Sequence, residues 1–143
     1  AAAGVGGLIG SGLSERWGRR PGVAVPAAWL LDAVGIAVIA ATPVGGLIVA
    51  GAGQFLNGLG LGFSSPLELS YRQAVTPDRL QARTNATMRS FNRAAVVVGA
   101  PAGGLVADAV GFRFALWLAA AGLAVAALVL AASPFRTADL GAD

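Results

Sequence analysis

Charged residues divide the chain into long apolar stretches, and this pattern predicts membrane-spanning helices. A helix rises 1.5 Å per residue, so about 20 apolar residues cross a hydrocarbon core of about 30 Å. The uncharged stretch from residue 33 to residue 67 is too long for one untilted crossing. Proline disfavours helix in the residue before it, so we place a break at Thr42-Pro43. The predicted spans are residues 1–13, which are too few to cross alone, 22–41, 44–67, 84–109 and 114–133.

The polar stretch between the third and fourth spans contains a helix start signal. In Thr76-Pro77-Asp78, the threonine suits an N-cap, the proline the first helical position and the acid the first turn. We therefore expect a short surface helix to begin there.

Glycines spaced four residues apart predict close helix packing in three of the spans, because small residues let two backbones approach each other in a bilayer. The three pairs are Gly6 with Gly10, Gly58 with Gly62, and Gly99 with Gly103. Gly58, Gly60 and Gly62 also look superficially like a dinucleotide fingerprint, but neither a preceding strand nor a following acid is present.

Composition supports a chain that is solvated by lipid. It is 56% hydrophobic and 12% charged, whereas a soluble domain is about 25% charged. We predict an all-α fold, a polytopic transmembrane helix bundle. The absence of cysteine and histidine removes thiol nucleophiles, thiolate metal sites and the usual near-neutral acid/base group, so most enzyme classes are excluded and no cofactor is implied. The ten arginines cluster in short connections, which disfavours a nucleic-acid surface.

Arginine distribution predicts the orientation of the spans. If residues 14–20 are cytoplasmic, the connections between spans on the opposite side of the membrane contain a single arginine, Arg113. The cytoplasmic side then holds Arg16, Arg19, Arg20, Arg72, Arg79, Arg83 and Arg136. This asymmetry follows the positive-inside rule and places the C-terminus in the cytoplasm of a multi-pass protein of the cell (inner or plasma) membrane. Since the chain begins Ala1-Ala2-Ala3, without an initiator methionine or a signal peptide, we expect a fragment.

Asp32 is the deepest ionisable residue in the predicted spans. It lies about ten residues, or about 15 Å, from either end of its span. Ala28 and Gly35 share its helical face, so we expect this face to pack on protein. A charge at this depth is a functional-site hypothesis. Asp32 is either a proton-relay carboxylate or a structural acid with a partner on a neighbouring helix.

The third span carries two uncharged polar residues, Gln54 and Asn57, among glycines. They either line a cavity for amphipathic solutes or form interhelical hydrogen bonds. Glu68, at the end of the same span, lies four residues before Arg72, and we expect these two to form an ion pair.

Arg89 and Arg93 lie one helical turn apart in the fourth span, with Arg93 about 6 Å deeper. They either contact substrate or extend their guanidinium groups to the cytoplasmic headgroups.

Residues 11–20 read Ser-Gly-Leu-Ser-Glu-Arg-Trp-Gly-Arg-Arg. This loop resembles the signature loop of the major facilitator superfamily, commonly written G-x-L-A-D-R-x-G-R-R. Glu15 stands for the aspartate, and Ser11 replaces the leading glycine. The positive-inside rule alone accounts for the arginines of this loop, but it does not account for Glu15 or Gly18.

Later parts of the chain are similar to the end of bacterial efflux-type members of that family. The connection from the tenth to the eleventh helix resembles residues 71–83, 85–89 and 99–105. The start and the end of the twelfth helix resemble residues 111–117 and 133–136. The resemblance implies helices eight to twelve, without the N-terminal bundle and the seventh helix. Helices two to six are the rival assignment.

The resemblance implies a secondary transporter that exports a drug-like or siderophore-like small molecule against proton entry. Its partners would be membrane lipid, the small-molecule substrate, the proton and the missing N-terminal bundle. Four residues would inherit the charge network that closes the cytoplasmic side, namely Glu15, Arg16, Arg19 and Arg20, while Gly18 would permit the tight turn. The alternative is a structural or accessory membrane subunit without transport of its own.

Overall fold

A computed structural model describes residues 1–17, 20–43 and 45–137. The five helices are α1 (Ala2–Trp17), α2 (Pro21–Ala41), α3 (Leu47–Val75), α4 (Asp78–Val110) and α5 (Phe112–Ala132), followed by a 3-10 turn (Pro134–Thr137). No strand occurs in these ranges, so the predicted all-α fold is confirmed. Four helices, α2 to α5, are long and apolar enough to cross a membrane.

Helix α3 lies between α1 and α2, and α5 packs on α2. Contacts at the glycines give the directions. Gly6 lies against Phe55 and Gly10 against Leu59, so α1 and α3 run parallel. Gly60 lies against Ala28, whereas Gly53 lies against Gly35, so α2 and α3 run antiparallel. Helices α1, α2 and α3 therefore alternate in direction, as consecutive membrane crossings must.

Backbone-to-backbone packing joins α1 to α3. A Cβ atom at Gly62 would lie 2.7 Å from the Cα of Gly7, and one at Gly58 would lie 2.7 Å from the Cα of Ala3. Real Cβ atoms do not approach a backbone this closely, so only glycine fits. The predicted packing at the Gly6/Gly10 and Gly58/Gly62 pairs is confirmed.

The third predicted pair, Gly99 and Gly103 of α4, makes no such contact: no atom of another element lies within 4 Å of either Cβ position. Helix α4 buries none of its residues, and its contacts are mainly with α5. The prediction was wrong for this pair because a small-residue face needs a facing helix, and the described helices supply none along this stretch.

Helices α3 and α4 are longer than the spans predicted within them. Helix α3 continues through Pro66 and past Leu67 to Val75, and α4 begins at Asp78 and runs without a break to Val110. Charge marks where a helix can leave the hydrocarbon, but the helix itself continues into the aqueous layer. The expected short surface helix is therefore the first part of α4.

A two-residue connection joins α3 to α4. Thr76 is the C-cap of α3 and Pro77 is the N-cap residue of α4, so the predicted N-cap role of Thr76 and the predicted first helical position of Pro77 are both wrong. Side-chain Nε2 of Gln81 donates to the carbonyl of Thr76 at 3.3 Å and to Oδ1 of Asp78 at 3.0 Å. These bonds tie the start of α4 to the end of α3.

The alternating directions collect most described arginines at one end of the bundle, which we call the arginine-rich end. It contains residues 14–17 and 20, the end of α3, the start of α4 and the 3-10 turn. A small core of Ala24, Val25 and Leu67 lies near it and is covered by Trp29 and Phe135. Arg113 lies at the opposite end, where its guanidinium donates to the carbonyl of Thr42.

Candidate functional site

Asp32 lies in the contact between α2 and α3 and is 8% exposed. A Cβ atom at Gly60 of α3 would lie 2.7 Å from the carbonyl oxygen of Ala28 and 3.0 Å from the amide nitrogen of Asp32. A Cβ atom at Gly35 of α2 would lie 2.6 Å from the backbone nitrogen of Asn57. The face of Ala28, Asp32 and Gly35 therefore packs on protein, as the sequence predicts.

Asn57 is the hydrogen-bond partner of Asp32. Its side-chain Nδ2 donates to Oδ1 of the aspartate, which joins the middle of α2 to the middle of α3. The partner is a neutral amide, so the bond supplies a donor without cancelling the charge of an ionised carboxylate. Gly35 of α2 and Gly60 of α3 let the two backbones approach closely enough for the short side chains of Asp32 and Asn57 to meet.

Gln54 and Asn57, which the sequence groups together, have different surroundings. Asn57 is half-buried against α2, whereas Gln54 is exposed one turn earlier on α3. Asn57 makes an interhelical hydrogen bond, and Gln54 presents its amide on an open face of the bundle.

Glu68 has a different partner from the one predicted. The indole Nε1 of Trp29 donates to its Oε1 at 2.9 Å, linking α2 to α3. Arg72, the expected ion-pair partner, lines the cleft between α3 and α4. Sequence reasoning missed Trp29, and the available signal was an indole N–H in a predicted span, which needs an acceptor when it is buried.

The described residues of the signature loop lie at the arginine-rich end. Glu15 is exposed in the last turn of α1, and Arg20 is exposed immediately before α2. Gly18, Arg19 and the side chain of Arg16 lie outside the described residues. Glu15 and Arg20 therefore face the surroundings of the bundle, where another surface can reach them.

Arg89 and Arg93 are exposed on α4, away from the Asp32–Asn57 pair. Arg89 lines the same cleft as Arg72, and Arg93 lies beside Asn92 and Val96 on the neighbouring surface. The structure thus brings together only Asp32 and Asn57 among the predicted pathway residues.

The described residues contain no group of three or more acidic, histidine or cysteine side chains that could hold a metal ion. Buried polar side-chain atoms in the same residues all have hydrogen-bond partners. Among the described residues, side-chain to side-chain hydrogen bonds between helices are limited to one carboxyl group with its amide donor and one carboxylate with its indole donor, while Ser14 and Ser64 are the other buried polar residues.

Comparison with known proteins identifies the family. The sequence model of the Major Facilitator Superfamily matches residues 1–140, which is nearly the whole chain. Comparisons with curated proteins and with solved structures gave no match. Members of the matched family are membrane transporters and not enzymes. Its match, together with the four helices that are long and apolar enough to cross a membrane, shows that the chain is a multi-pass membrane protein and belongs to the major facilitator superfamily.

Proposed function

We propose that this chain is the C-terminal part of a secondary transporter that exports a small molecule in exchange for protons by alternating access. In such carriers two helical bundles rock around a site near the midplane of the bilayer. The observation that carries the proposal is Asp32, an acid near the middle of α2 that is buried against α3 and hydrogen-bonded to a neutral amide.

The chemistry of this pair suits a proton site. An ionised carboxylate near the bilayer centre is costly, and a neutral amide offsets only part of that cost. Uptake of one proton removes the charge and turns one carboxyl oxygen into a donor. The hydrogen bond with Asn57 is kept if the proton binds Oδ2, because Oδ1 still accepts, and it must be rearranged if the proton binds Oδ1. In either case the new O–H group needs an acceptor, so protonation would change the polar contacts of Asp32 between α2 and α3.

The arginine-rich end supports the second element of the proposal, a cytoplasmic latch. Exposed Glu15 and Arg20, with Arg16, Arg19 and Gly18 of the same loop, would meet charges of the N-terminal bundle when the carrier faces outward. The strong bias of arginine to this end favours a cytoplasmic location for it and for the C-terminus, in the cell membrane.

The substrate in this proposal is a drug-like or siderophore-like small molecule. Gln54 on the open face of α3 and Arg89 and Arg93 on α4 are the described polar groups that could meet it. An uncharged amide flanked by glycines accepts varied amphipathic solutes, because it donates and accepts hydrogen bonds without fixing a charge.

Proton exchange in everted membrane vesicles tests the proposal. Vesicles that contain the whole carrier are energised, and a fluorescent pH probe records proton movement after each of a panel of drug-like and siderophore-like solutes is added. We expect Asp32→Asn to abolish substrate-dependent proton movement, because the amide cannot bind or release a proton. Asp108→Asn is the control, since Asp108 is exposed near the far end of α4.

Two outcomes would contradict the proposal. Normal exchange by Asp32→Asn would assign Asp32 a structural role in the contact between α2 and α3. Absence of proton movement with every tested solute in the unmodified protein, in vesicles where it is correctly inserted, would favour an accessory subunit that does not transport.

A further inference from the structure

We propose that the cleft between α3 and α4 at the arginine-rich end binds the phosphate-bearing headgroup of an anionic phospholipid. Its volume is about 660 Å³. Leu69, Arg72 and Gln73 of α3 line one wall, and α4 lines the other. The residues of the second wall are Asn85, Met88, Arg89, Phe91, Asn92 and Ala95.

The charge of the cleft favours an anion. Arg72 and Arg89 contribute one guanidinium group from each wall, and Gln73, Asn85 and Asn92 contribute amide donors. None of the described lining residues is acidic. Two guanidinium groups with adjacent amides match the oxygen-rich surface of a phosphodiester.

The depth of the two arginines matches the headgroup layer. Arg89 lies 21 residues before Val110, the end of α4, which corresponds to about 32 Å of helix. Arg72 lies 25 residues after Leu47, the start of α3, or about 38 Å. If the far ends of α3 and α4 mark one boundary of a hydrocarbon core about 30 Å thick, the Cα atoms of both arginines lie just past the other boundary, within reach of lipid phosphates.

The order of polar and apolar residues along the cleft distinguishes a lipid from a free anion. Gln73 and Asn85 lie on the aqueous side of the two arginines. Leu69, Phe91 and Ala95 lie on the membrane side, together with one amide, that of Asn92. A phospholipid has the same order, from headgroup through phosphate to acyl chain, whereas inorganic phosphate would leave the apolar part of the cleft unused.

Native mass spectrometry of the whole chain, released from detergent micelles, measures this binding directly. The protein is titrated with phosphatidylglycerol, with phosphatidylcholine and with inorganic phosphate. We expect retention of phosphatidylglycerol, weaker retention of phosphatidylcholine and no displacement of the bound lipid by phosphate. An arginine that contacts the headgroup contributes about 1 kcal/mol, or about fivefold in affinity, so the double variant Arg72→Gln/Arg89→Gln should bind about 25-fold more weakly.

Two further variants separate this site from general charge attraction and from misfolding. Arg79→Gln/Arg136→Gln removes the same charge from the same end, but neither residue lines the cleft, so we expect affinity within about twofold of the unmodified chain. Arg72→Lys/Arg89→Lys keeps the charge and should retain most of the binding. Helix content by circular dichroism reports whether each variant is folded.

Three results would overturn the proposal. Equal retention of phosphatidylcholine would show that the headgroup charge is not recognised. An equal loss of affinity in the Arg79→Gln/Arg136→Gln variant would show that the attraction is not local to the cleft. Displacement of phosphatidylglycerol by inorganic phosphate would show an anion site that does not use the acyl chain.

Discussion

Helices α3 and α4 share several sequence features but have different surroundings. Both are long, both contain an internal proline, and both carry a glycine pair at the spacing that favours helix contact. Yet α3 buries residues along two faces, against α1 and against α2, while α4 buries none. The comparison shows that a small-residue pair gives a helix the capacity for close packing but does not supply the partner.

The partner helices of α3 explain the difference. Where Gly58 and Gly62 face α1, they meet Ala3 and Gly7, and where Gly60 faces α2, it meets Ala28. Small residues therefore face small residues, and the two backbones touch. Along the middle of α4 the positions around Gly99 and Gly103 have no atoms of another element within 4 Å.

The largest effect in this comparison is expected from Gly62→Ala. The new Cβ would lie 2.7 Å from the Cα of Gly7 and 2.8 Å from its carbonyl carbon, so α1 and α3 must separate. We expect the free energy of unfolding to fall by about 3 kcal/mol. Titration of the whole chain in micelles with sodium dodecyl sulfate, followed by circular dichroism, measures it. A loss below about 0.5 kcal/mol would show that the backbones are not in contact.

The next largest effect is expected from Asn57→Ala. It leaves the buried carboxyl group of Asp32 without its described donor. We expect a loss of about 1.5 kcal/mol in the same titration. Gln54→Ala is the control, because Gln54 is exposed on the same helix. Equal losses in the two variants would mean that the Asp32–Asn57 bond does not stabilise the bundle.

A smaller effect is expected from Trp29→Phe. This change keeps an aromatic ring but removes the indole N–H that donates to Glu68, so we expect a loss of about 0.6 kcal/mol. Glu68→Gln keeps an acceptor oxygen and should cost less. Trp117→Phe is a second control, since Trp117 is 49% exposed on α5. The prediction fails if Trp117→Phe destabilises the chain more than Trp29→Phe.

The smallest effect is expected from Gly103→Ala. No atom of another element lies within 4 Å of the new Cβ, and alanine is the better helix former. We expect stability to change by no more than about 0.5 kcal/mol, in the stabilising direction. Paired with Gly62→Ala, this variant applies the same chemical change to a contacting and a non-contacting position. Strong destabilisation by Gly103→Ala would place a contact on α4 that the described residues do not contain.

Much of the fold follows from elementary patterns in the sequence. The break at Thr42-Pro43 is found at the end of α2, because proline restricts the residue before it. The same rule does not end α3 at Pro66, since helices in a bilayer tolerate proline when other groups satisfy the freed carbonyl. The end of α3 and the start of α4 were missed because charged residues show where a helix enters water. They do not show where its backbone hydrogen bonds end.

The site was predicted less completely than the fold. Burial of Asp32 follows from the small residues on its face, but the choice of Asn57 as its partner depends on the register between α2 and α3. For the same reason, local spacing suggested Arg72 as the partner of Glu68, while the tertiary contact supplied Trp29. A single sequence gives the spacing within one helix and leaves the offset between two helices undetermined.

The 3-10 turn has a consequence for the order in which the bundle is made. Its backbone at Phe135 and Arg136 lies against Gly22 at the start of α2, and Phe135 meets Tyr71 edge to face with ring centroids 5.0 Å apart. During synthesis, α1, α2 and α3 can pack as soon as α3 has entered the bilayer, because their contacts are complete within the first half of the chain. The turn can close only after α5 has left the ribosome, so these last contacts complete a bundle that has already been inserted.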